Sequence, residues 1–286
     1  MTSIKDKIIA SLRSNGFGKV SRVPLETQAL EFLSENRVHE QIDQIKRYIP
    51  DLRGKKLLEI GSGYGTFIAF CNKNRICEAH GIEPGEDAYA DAFSISREIL
   101  DNYGVSPEMI KNGYGESIPY ASCSFDVVWS TNVLEHVADP ELVLAEAYRV
   151  LKPGGMAVIV VPNYGSFWEG HYGMLFPPFC PKWIFKIIVK VFGRDPAFVD
   201  TLQFVTYGKL KKWISSFASG IELITTGQEI WEERLRTMQF SEWAELAKLK
   251  SIIKWIHRLR LLSLVLWCGR RLHWETPFIL VFRKRA

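Results

Sequence analysis

The sequence predicts an α/β fold built on a doubly wound, mostly parallel sheet. Apolar runs of four to seven residues alternate with stretches of helical periodicity between residues 56 and 161. The first run, residues 56–61, breaks into a glycine-rich loop that leads directly into a helical stretch. Such alternation is typical of parallel strands joined by right-handed helical crossovers.

The elements follow in order from these patterns. A leading helix is expected over residues 25–49, because its apolar positions have helical spacing and it stops at Pro50. The expected strands are residues 56–61, 79–83, 109–112, 125–131, 156–161, 221–226 and 277–282. Helices are expected between them, including residues 141–151 and 207–217.

The glycine loop indicates a cofactor site. Gly61, Gly63 and Gly65 lie between a strand and a helix, where backbone N–H groups and the helix N-terminus favour a small polar ligand. A dinucleotide fingerprint would place its third glycine at position 66, which is Thr66. Glu83 ends the second strand about 20 residues later, where an acid can accept hydrogen bonds from ribose hydroxyls. The alternative for Glu83 is a solvated acid in a turn.

Further motifs identify a family. The chain reads NVLEHV at 132–137, Asp139-Pro140 at a helix start, and LKPGG at 151–155 before an apolar strand. Together with Glu59 and the three loop glycines, these motifs resemble the class I S-adenosylmethionine-dependent methyltransferases, in particular the quinone-biosynthesis group known as methyltransferase type 11. The resemblance covers about residues 50–162 and fades elsewhere.

The resemblance implies a seven-stranded sheet with an antiparallel last strand, inserted between strands five and six. It implies S-adenosyl-L-methionine as cofactor and S-adenosyl-L-homocysteine as product. The adenine contact is either stacking by Tyr114 or a hydrogen bond through Glu116. The residues implied to hold the cofactor are Glu59, Gly61, Ser62, Gly63, Gly65, Glu83, Pro84, Gly115, Glu116 and Asn132.

Two histidines are candidate catalytic residues. His136 follows the fourth strand and His171 lies in the segment after the fifth, so both are expected at the edge of the sheet where ligands bind. Either can act as a general base toward a hydroxyl acceptor, or else serve only to orient its loop. His39, His80, His257 and His273 are interpreted as structural or surface residues. No His, Cys or carboxylate group has metal-ligand spacing along the chain, so no metal is expected.

Composition limits the binding partners and the cellular location that are expected for this chain. Residues 242–286 carry ten Lys or Arg against three Glu, although the whole chain has a formal net charge of only +4. The five cysteines form no C-x-x-C pair, which favours a reducing compartment. No signal peptide or transmembrane run is recognised, because the longest apolar run near the end is shorter than the roughly 20 residues needed. A cytoplasmic location is expected, with contact at the inner face of the membrane as an option.

Segments outside the motifs suggest how the acceptor is held. We expect a helical segment at 1–50 that partly covers the cofactor or only the sheet, the cofactor-binding core at 51–162, and an aromatic, Pro-rich substrate insertion at 163–205. A core helix and strand follow at 206–229, then a basic helical insertion at 230–275 and the last strand at 276–286. The amphipathic stretch 243–272 can cap the pocket, form a homodimer or lie on an anionic membrane.

The resulting hypothesis is methyl transfer to a small-molecule or lipid-linked acceptor, at oxygen, with a His general base. Nucleic acid is not expected, because 132–135 lacks the Pro-Pro-aromatic clamp of enzymes that methylate flipped bases. The alternatives are a peripheral-membrane methyltransferase of an isoprenoid or glycolipid, and a protein that binds the cofactor without turnover.

Overall fold

A seven-stranded sheet organises the molecule. The computed structural model describes residues 3–15, 20, 23–86, 90–238 and 247–286. The strand order is β3-β2-β1-β4-β5-β9-β8, and a separate two-stranded hairpin pairs β6 with β7. The strands are β1 (Lys56–Ile60), β2 (Glu78–Glu83), β3 (Ile110–Asn112), β4 (Phe125–Thr131), β5 (Leu151–Val161), β6 (Trp168–Glu169), β7 (Met174–Leu175), β8 (Ile221–Thr225) and β9 (Phe278–Lys284).

The predicted fold class is confirmed. Strands β1 to β5 pair in parallel, whereas β9 is antiparallel to both β5 and β8 and lies between them. The central strands are buried along nearly their whole length, as expected for a sheet covered on both faces.

Twelve helices lie among the residues that the structure describes. They are α1 (Ile4–Ser14), α2 (Leu25–Phe32), α3 (Glu35–Lys46), α4 (Thr66–Lys73), α5 (Ala90–Asn102), α6 (Pro140–Val150), α7 (Lys182–Val191), α8 (Phe198–Thr201), α9 (Tyr207–Trp213), α10 (Gln228–Thr237), α11 (Ala247–Arg258) and α12 (Leu262–Leu272). Short 3₁₀ helices occur at Pro107–Met109 and Ser215–Gly220. Within the described ranges, no helix is both long and apolar enough to cross a bilayer.

The leading segment is two helices, so the single helix expected over 25–49 is wrong. The chain leaves the helical conformation at Ser34, which has φ −75° and ψ 121° and precedes α3. Serine is a favoured N-cap residue, and helical spacing of apolar residues on both sides conceals such a break. Helix α2 still contacts the glycine loop region, because the Thr66 hydroxyl donates to the Phe32 carbonyl at 2.8 Å and the Phe32 and Tyr64 rings pack edge to face.

Two apolar cores lie on the two faces of the sheet. One joins α1 to α5 with β1 and β2, and the other joins α6 and α9 with β4, β5 and β9. Trp129 lies in the first core and its neighbour Val128 in the second, as expected for alternate side chains along β4.

The segment after β5 has more regular structure than the substrate loop expected there. It contains the β6–β7 hairpin, α7 and α8, and these elements surround an apolar cluster of their own. This cluster contains mainly aromatic and branched residues: Val20, Tyr164, Tyr172, Phe176, Cys180, Phe185, Val189, Val199, Leu202 and Phe204. The segment is therefore a small subdomain that lies beside the carboxyl end of β5.

The C-terminal insertion is helical, as predicted. Helix α11 ends before Arg260, whose φ of 57° breaks the amphipathic stretch, and α12 continues the chain. Trp243 and Leu246, which belong to the stretch predicted from sequence, lie outside the described residues. A small apolar cluster of Leu235, Ile253 and Leu266 joins α10, α11 and α12.

Candidate functional site

The glycine loop forms an open cradle at the carboxyl end of β1. Gly61, Gly63 and Gly65 have φ values of 73°, 53° and 78°, a region that favours glycine because it has no Cβ. A Cβ on Gly61 would lie 2.3 Å from Val133 Cγ2, whereas nothing lies within 4 Å of a Cβ position on Gly63. The loop is therefore packed from behind at Gly61 and open at Gly63, as a ligand cradle requires.

Glu83 connects the second strand to this cradle. Its Oε2 accepts the Gly63 backbone N–H at 2.8 Å, and the side chain is almost fully buried. Burial raises the pKa of Glu83 to about 7, although the Gly63 N–H partly opposes this shift. A buried carboxylate facing an open cradle can be stabilised by hydroxyl donors from a ligand.

Glu59 is a second buried acid next to the loop. Its Oε2 accepts no hydrogen bond from any residue within the described ranges. Burial, with the nearby charge of Glu83, raises the pKa of Glu59 well above its ordinary range, and Arg37 of α3 opposes the shift. An unsatisfied buried carboxylate carries a free-energy cost that a cationic or hydrogen-bonding ligand removes.

The remaining candidate cofactor residues surround the same edge. Ser62 is buried with its N–H on the Ile82 carbonyl, and Pro84 follows Glu83 directly. Asn132 has a φ of 54° and donates its N–H to Val160, which turns the chain sharply after β4. Gly115 lies against Val143, where an added Cβ would be 3.1 Å from a methyl group.

The two candidates for the adenine contact have different surroundings. The Glu116 carboxylate accepts the backbone N–H groups of Ala138 and Asp139 at 2.9 and 3.3 Å, so it holds the turn before α6. Tyr114 is 42% exposed. Both alternatives stay predictions.

The two candidate catalytic histidines meet. His136 Nε2 and His171 Nε2 are 3.2 Å apart, although the residues are separated by 35 positions in the chain. His136 comes from the loop after β4 and His171 from the β6–β7 hairpin after β5. Because β4 lies between β1 and β5, the pair lies at the same sheet edge as the glycine loop, displaced toward β5.

Two glutamates complete this group, which we call the His-Glu cluster: Glu135, His136, Glu169 and His171. Glu169 Oε1 is 2.6 Å from His171 Nδ1, and it also accepts the Tyr164 hydroxyl at 3.1 Å. Glu135 Oε1 lies 3.7 Å from His171 Nε2 and 3.9 Å from His136 Nε2. Both glutamates are fully buried, whereas the His136 side chain is 19% exposed.

Burial controls the charges in this cluster. It lowers the pKa of His136 to about 3, with a further contribution from the neighbouring His171. Burial also opposes the charged form of His171, but the Glu169 carboxylate outweighs it and raises the pKa of His171. Burial raises the pKa of Glu135 to about 7. The cluster is therefore built around one charge-stabilised imidazole, His171, and one neutral imidazole, His136, that reaches solvent.

Sequence reasoning missed the two glutamates. The sequence offered two signals, the E-x-H pattern at 169–171 and the adjacent Glu135-His136 pair. Each pattern is short and common. The prediction that no metal is bound considered only residues that are close together along the chain. In three dimensions, Glu135, His136 and His171 offer three ligand atoms within 4.8 Å of one another.

The other histidines have structural contacts. His80 pairs with Glu78 at 2.7 Å, His257 contacts the Leu235 carbonyl at 2.7 Å, and His273 stacks on Tyr207 with ring centroids 3.4 Å apart. His39 packs edge to face against Phe70. These contacts agree with the structural interpretation made from the sequence.

Comparison with known proteins decides the family. Residues 58–159 match the family model described as a methyltransferase domain. Residues 58–159 form a class I S-adenosylmethionine-dependent methyltransferase domain. The matched residues run from β1 into β5 and so include the glycine loop, Glu83 and the Glu135-His136 pair. The family predicted from the sequence motifs is confirmed.

Curated relatives match about half of this chain or less. An uncharacterized methyltransferase from Mycobacterium sp. (strain KMS) is 34% identical over 120 residues, which are 42% of this chain and 42% of that protein. An uncharacterized protein from Methanocaldococcus jannaschii is 32% identical over 142 residues, 48% of this chain and 58% of that protein. The matches thus span about half the length of these relatives.

Solved structures agree on the fold. A putative sarcosine dimethylglycine methyltransferase from Galdieria sulphuraria has a TM-score of 0.51 at 17% identity, covering 98% of both chains. Phosphoethanolamine N-methyltransferase 2 from Haemonchus contortus, solved with S-adenosyl-L-methionine, has a TM-score of 0.51 at 15% identity, covering 100% of this chain and 60% of that one. At these identities the likeness supports the methyltransferase fold alone.

Proposed function

We propose that this protein transfers a methyl group from S-adenosyl-L-methionine to a hydroxyl of a small-molecule or lipid-linked acceptor. The observation that carries the proposal is the placement of an open glycine cradle and the His-Glu cluster at one edge of one sheet. When bound, S-adenosyl-L-methionine supplies an electrophilic methyl group on a sulfonium sulfur. The protein's own task is then to position a nucleophile and exclude water.

The cradle residues fit this cofactor. Glu83 accepts one backbone N–H and leaves its other oxygen for ribose hydroxyl donors, while Gly63 leaves open space beside the backbone. Oε2 of the buried Glu59 has no hydrogen-bond donor among the described residues, and a polar cofactor group or an ordered water can provide one. For the adenine contact we propose either stacking by the partly exposed Tyr114 or a hydrogen bond through Glu116.

The His-Glu cluster handles the acceptor proton. His136 reaches solvent and is neutral, so its imidazole can take a hydrogen bond from an acceptor hydroxyl. His171 and Glu169 stand behind it, and they hold the His136 ring in place through the 3.2 Å contact. Phe198 packs against both imidazoles and gives the pocket an apolar wall. Aromatic walls bury both sugar-like and isoprenoid acceptors.

Calorimetry with the cofactor pair tests the proposal first. S-adenosylmethionine and S-adenosylhomocysteine are titrated into the wild type, Glu83→Ala and the control Glu78→Ala, which removes an exposed acid from the other end of the same strand. We expect Glu83→Ala to lose about 1.5–3 kcal/mol of binding free energy for each charge-assisted hydrogen bond removed. The control should bind like the wild type.

The outcomes separate the alternatives. Absence of binding by the wild type would overturn the proposal. Binding without transfer to any phenol, sugar or isoprenoid alcohol in a radiolabel screen would favour the non-catalytic alternative. An N-methylated product from an amine acceptor would contradict the assignment of oxygen.

A second candidate function places the enzyme at an anionic membrane surface. Helix α7 exposes Trp183, Ile187 and Val191, which share one face at i, i+4 and i+8, and Trp183 is 65% exposed. Lys182, Lys186 and Lys190 lie on the same helix, which has no acidic residue. A basic helix with exposed Trp and branched residues fits the interface of an anionic bilayer.

The C-terminal insertion repeats this pattern. Trp255 on α11 and Trp267 on α12 are 60% and 58% exposed, and Arg258 and Arg271 lie over their rings at 5.6 Å. Lys254 is also exposed on α11. We propose that these surfaces bring the enzyme to an isoprenoid or glycolipid acceptor at the lipid surface.

Vesicle flotation tests the membrane proposal. Phosphatidylcholine vesicles with and without phosphatidylglycerol are compared, and binding is expected only with the anionic lipid. Lys254→Glu, Arg258→Glu and Arg260→Glu together should abolish it, whereas Lys5→Glu, Lys73→Glu and Arg75→Glu change the net charge equally and should not. The membrane proposal would be overturned if the wild type stayed with the soluble fraction. A stable dimer in light scattering that buries the exposed faces of α7, α11 and α12 would also overturn it.

A further inference from the structure

The His-Glu cluster has the composition of a metal site. We infer that Glu135, His136 and His171 bind one divalent transition-metal ion, with two imidazole nitrogens and one carboxylate oxygen as ligands. This inference rests on the proposed function for its place beside the acceptor. Two histidines and one carboxylate form ligand sets for catalytic zinc and for non-haem iron.

The distances suit a common central ion. The three ligand atoms are separated by 3.2, 3.7 and 3.9 Å. Bonds of about 2.1 Å at tetrahedral angles place ligand atoms about 3.4 Å apart, so only small side-chain movements close the set. The atoms come from two loops, after β4 and after β5, which the sheet holds at one edge.

The orphaned carboxylate is the independent observation that points to a cation. Glu135 is fully buried, and neither of its oxygens accepts a hydrogen bond from any described residue. Buried carboxylates are paired, hydrogen-bonded or bound to metal, because an isolated buried charge is very costly. Neither oxygen of Glu135 has a hydrogen bond among the described residues, and the groups within 4 Å of its Oε1 include two imidazole nitrogens, the donor atoms that a metal ion would share with it.

Glu169 supplies the outer contact that such sites require. It holds His171 at Nδ1, which leaves Nε2 directed at His136 and Glu135. Glu169 is itself fixed by the Tyr164 hydroxyl and by the Tyr172 backbone N–H at 2.7 Å. A carboxylate behind a ligating imidazole orients the ring and raises its basicity as a ligand. Glu169 is therefore a positioning residue.

The site keeps an open side. His136 is partly exposed, whereas the other ligands are buried, so a further ligand can approach only past His136. An acceptor hydroxyl bound to the ion there would have a lowered pKa, as metal-bound water does, and would release its proton to the solvent beside His136. In the metal-loaded protein, His136 is then a ligand, and activation of the acceptor passes from the imidazole to the ion.

Metal titration of the intact, tag-free protein after chelator treatment tests this inference. We expect one equivalent of Zn²⁺ or Co²⁺ per chain, with visible Co²⁺ absorption bands. Glu135→Gln and His171→Ala should abolish stoichiometric binding. Glu169→Gln should retain the site with roughly 10- to 100-fold weaker affinity. His39→Ala, which changes an exposed histidine outside the cluster, is the matched control.

Each outcome is decisive. Unchanged binding in Glu135→Gln and His171→Ala would place the ion elsewhere and overturn the inference, as would no binding by the wild type. Glu135→Gln preserves side-chain shape, so its thermal unfolding and its affinity for S-adenosylhomocysteine report whether the variant is folded. Cofactor binding is measured on the metal-free protein, and therefore it can succeed or fail independently of the metal site.

Discussion

At the scale of single residues, two opposing effects act on the charge of Glu83. It must be ionised to hold ribose hydroxyls, yet burial raises its pKa to about 7. Ribose donors stabilise the charged form, so ligand binding and deprotonation favour each other. Glu59 lies in the same field, and its own pKa is raised by burial and by Glu83.

This coupling predicts a pH-dependent affinity for S-adenosylhomocysteine. Below pH 7 Glu83 is protonated in the free protein and must lose its proton to bind the ribose, so affinity should increase from pH 6 to pH 8 and then level off. Calorimetry at pH 6, 7 and 8 measures the trend. In Glu83→Gln the affinity should be lower, and its change between pH 6 and 8 should be smaller than in the wild type. A wild-type affinity that falls with pH would contradict the role of Glu83.

His171 gives a second residue-scale prediction. His171→Ala should lower kcat by about 10² to 10⁴ fold, the range ascribed to acid–base assistance. The substitution removes the ring that contacts His136 and the charged imidazole of the cluster. Affinity for S-adenosylhomocysteine should stay within about twofold, since His171 lies toward β5 rather than β2. Full turnover would remove the cluster from catalysis. The control is His257→Ala, which changes a histidine outside the His-Glu cluster that contacts the Leu235 carbonyl at 2.7 Å.

The sequence predicts the cofactor half of the candidate site but not the complete His-Glu cluster. Gly61, Gly63, Gly65 and Glu83 could be found because a strand, a tight loop and the next strand tip create a fixed local spacing. The role of Glu135 could not, because its partner His171 is 36 positions away and is placed by a subdomain with its own core. Contacts across such distances depend on how loops fold back, which periodicity does not encode.

At the scale of elements, α6 shows how the chain sets the loop that carries His136. Asp139 caps the helix by accepting the Leu142 N–H at 3.1 Å, and Pro140 follows at the first helical position. Glu116 accepts the N–H of the same Asp139 from the other side. The turn from β4 to α6 is thus held at both ends, and His136 lies within it.

Removing this cap should destabilise the domain measurably. Asp139→Ala is expected to lower the free energy of unfolding by about 1 kcal/mol, because it leaves a helix N–H without its acceptor. Urea denaturation followed by circular dichroism measures the change. Asp139→Asn keeps a side-chain oxygen and should retain most of the stability. Equal losses in both variants would show that charge, rather than capping, stabilises the turn.

Element types were predictable where apolar patterns were strong. The strand expected at 125–131 coincides with β4 because that run is buried on both faces, and the last strand pairs antiparallel with β5 as expected. The break at Ser34 and the subdomain after β5 were not predictable. In both places, apolar residues continue through turns, and their partners lie in distant segments.

At the scale of the whole molecule, the sheet collects the loops after β1, β2, β4 and β5 at one edge. The N-terminal and C-terminal helical segments also meet, because Arg47, which directly follows α3, pairs with Glu233 of α10 at 3.0 Å. The ligand edge retains costly groups, the buried Glu59, Glu83 and Glu135. Functional sites commonly carry such a cost in stability.

This cost predicts opposite effects of one substitution on stability and binding. The pKa of Glu83 in the folded protein, about 7, exceeds its ordinary value of 4.5. Between these values the folded protein keeps a proton that the unfolded chain has lost, so the contribution of Glu83 to stability falls as pH rises from about 4.5 to 7. Glu83→Gln removes this titration and should raise the Tm of the ligand-free protein at pH 8, with little effect near pH 5.

Saturating S-adenosylhomocysteine should reverse that order. A ligand at 100 times its Kd stabilises the folded state by about 2.7 kcal/mol, so the wild type should gain several degrees in Tm at pH 8. Glu83→Gln, with weaker affinity, should gain less at the same concentration. Differential scanning fluorimetry at pH 5 and pH 8, with and without ligand, measures the four Tm values of each protein. A variant less stable than the wild type at pH 8 without ligand would show that the Glu83 carboxylate stabilises the fold, because its contact with Gly63 would then outweigh its burial.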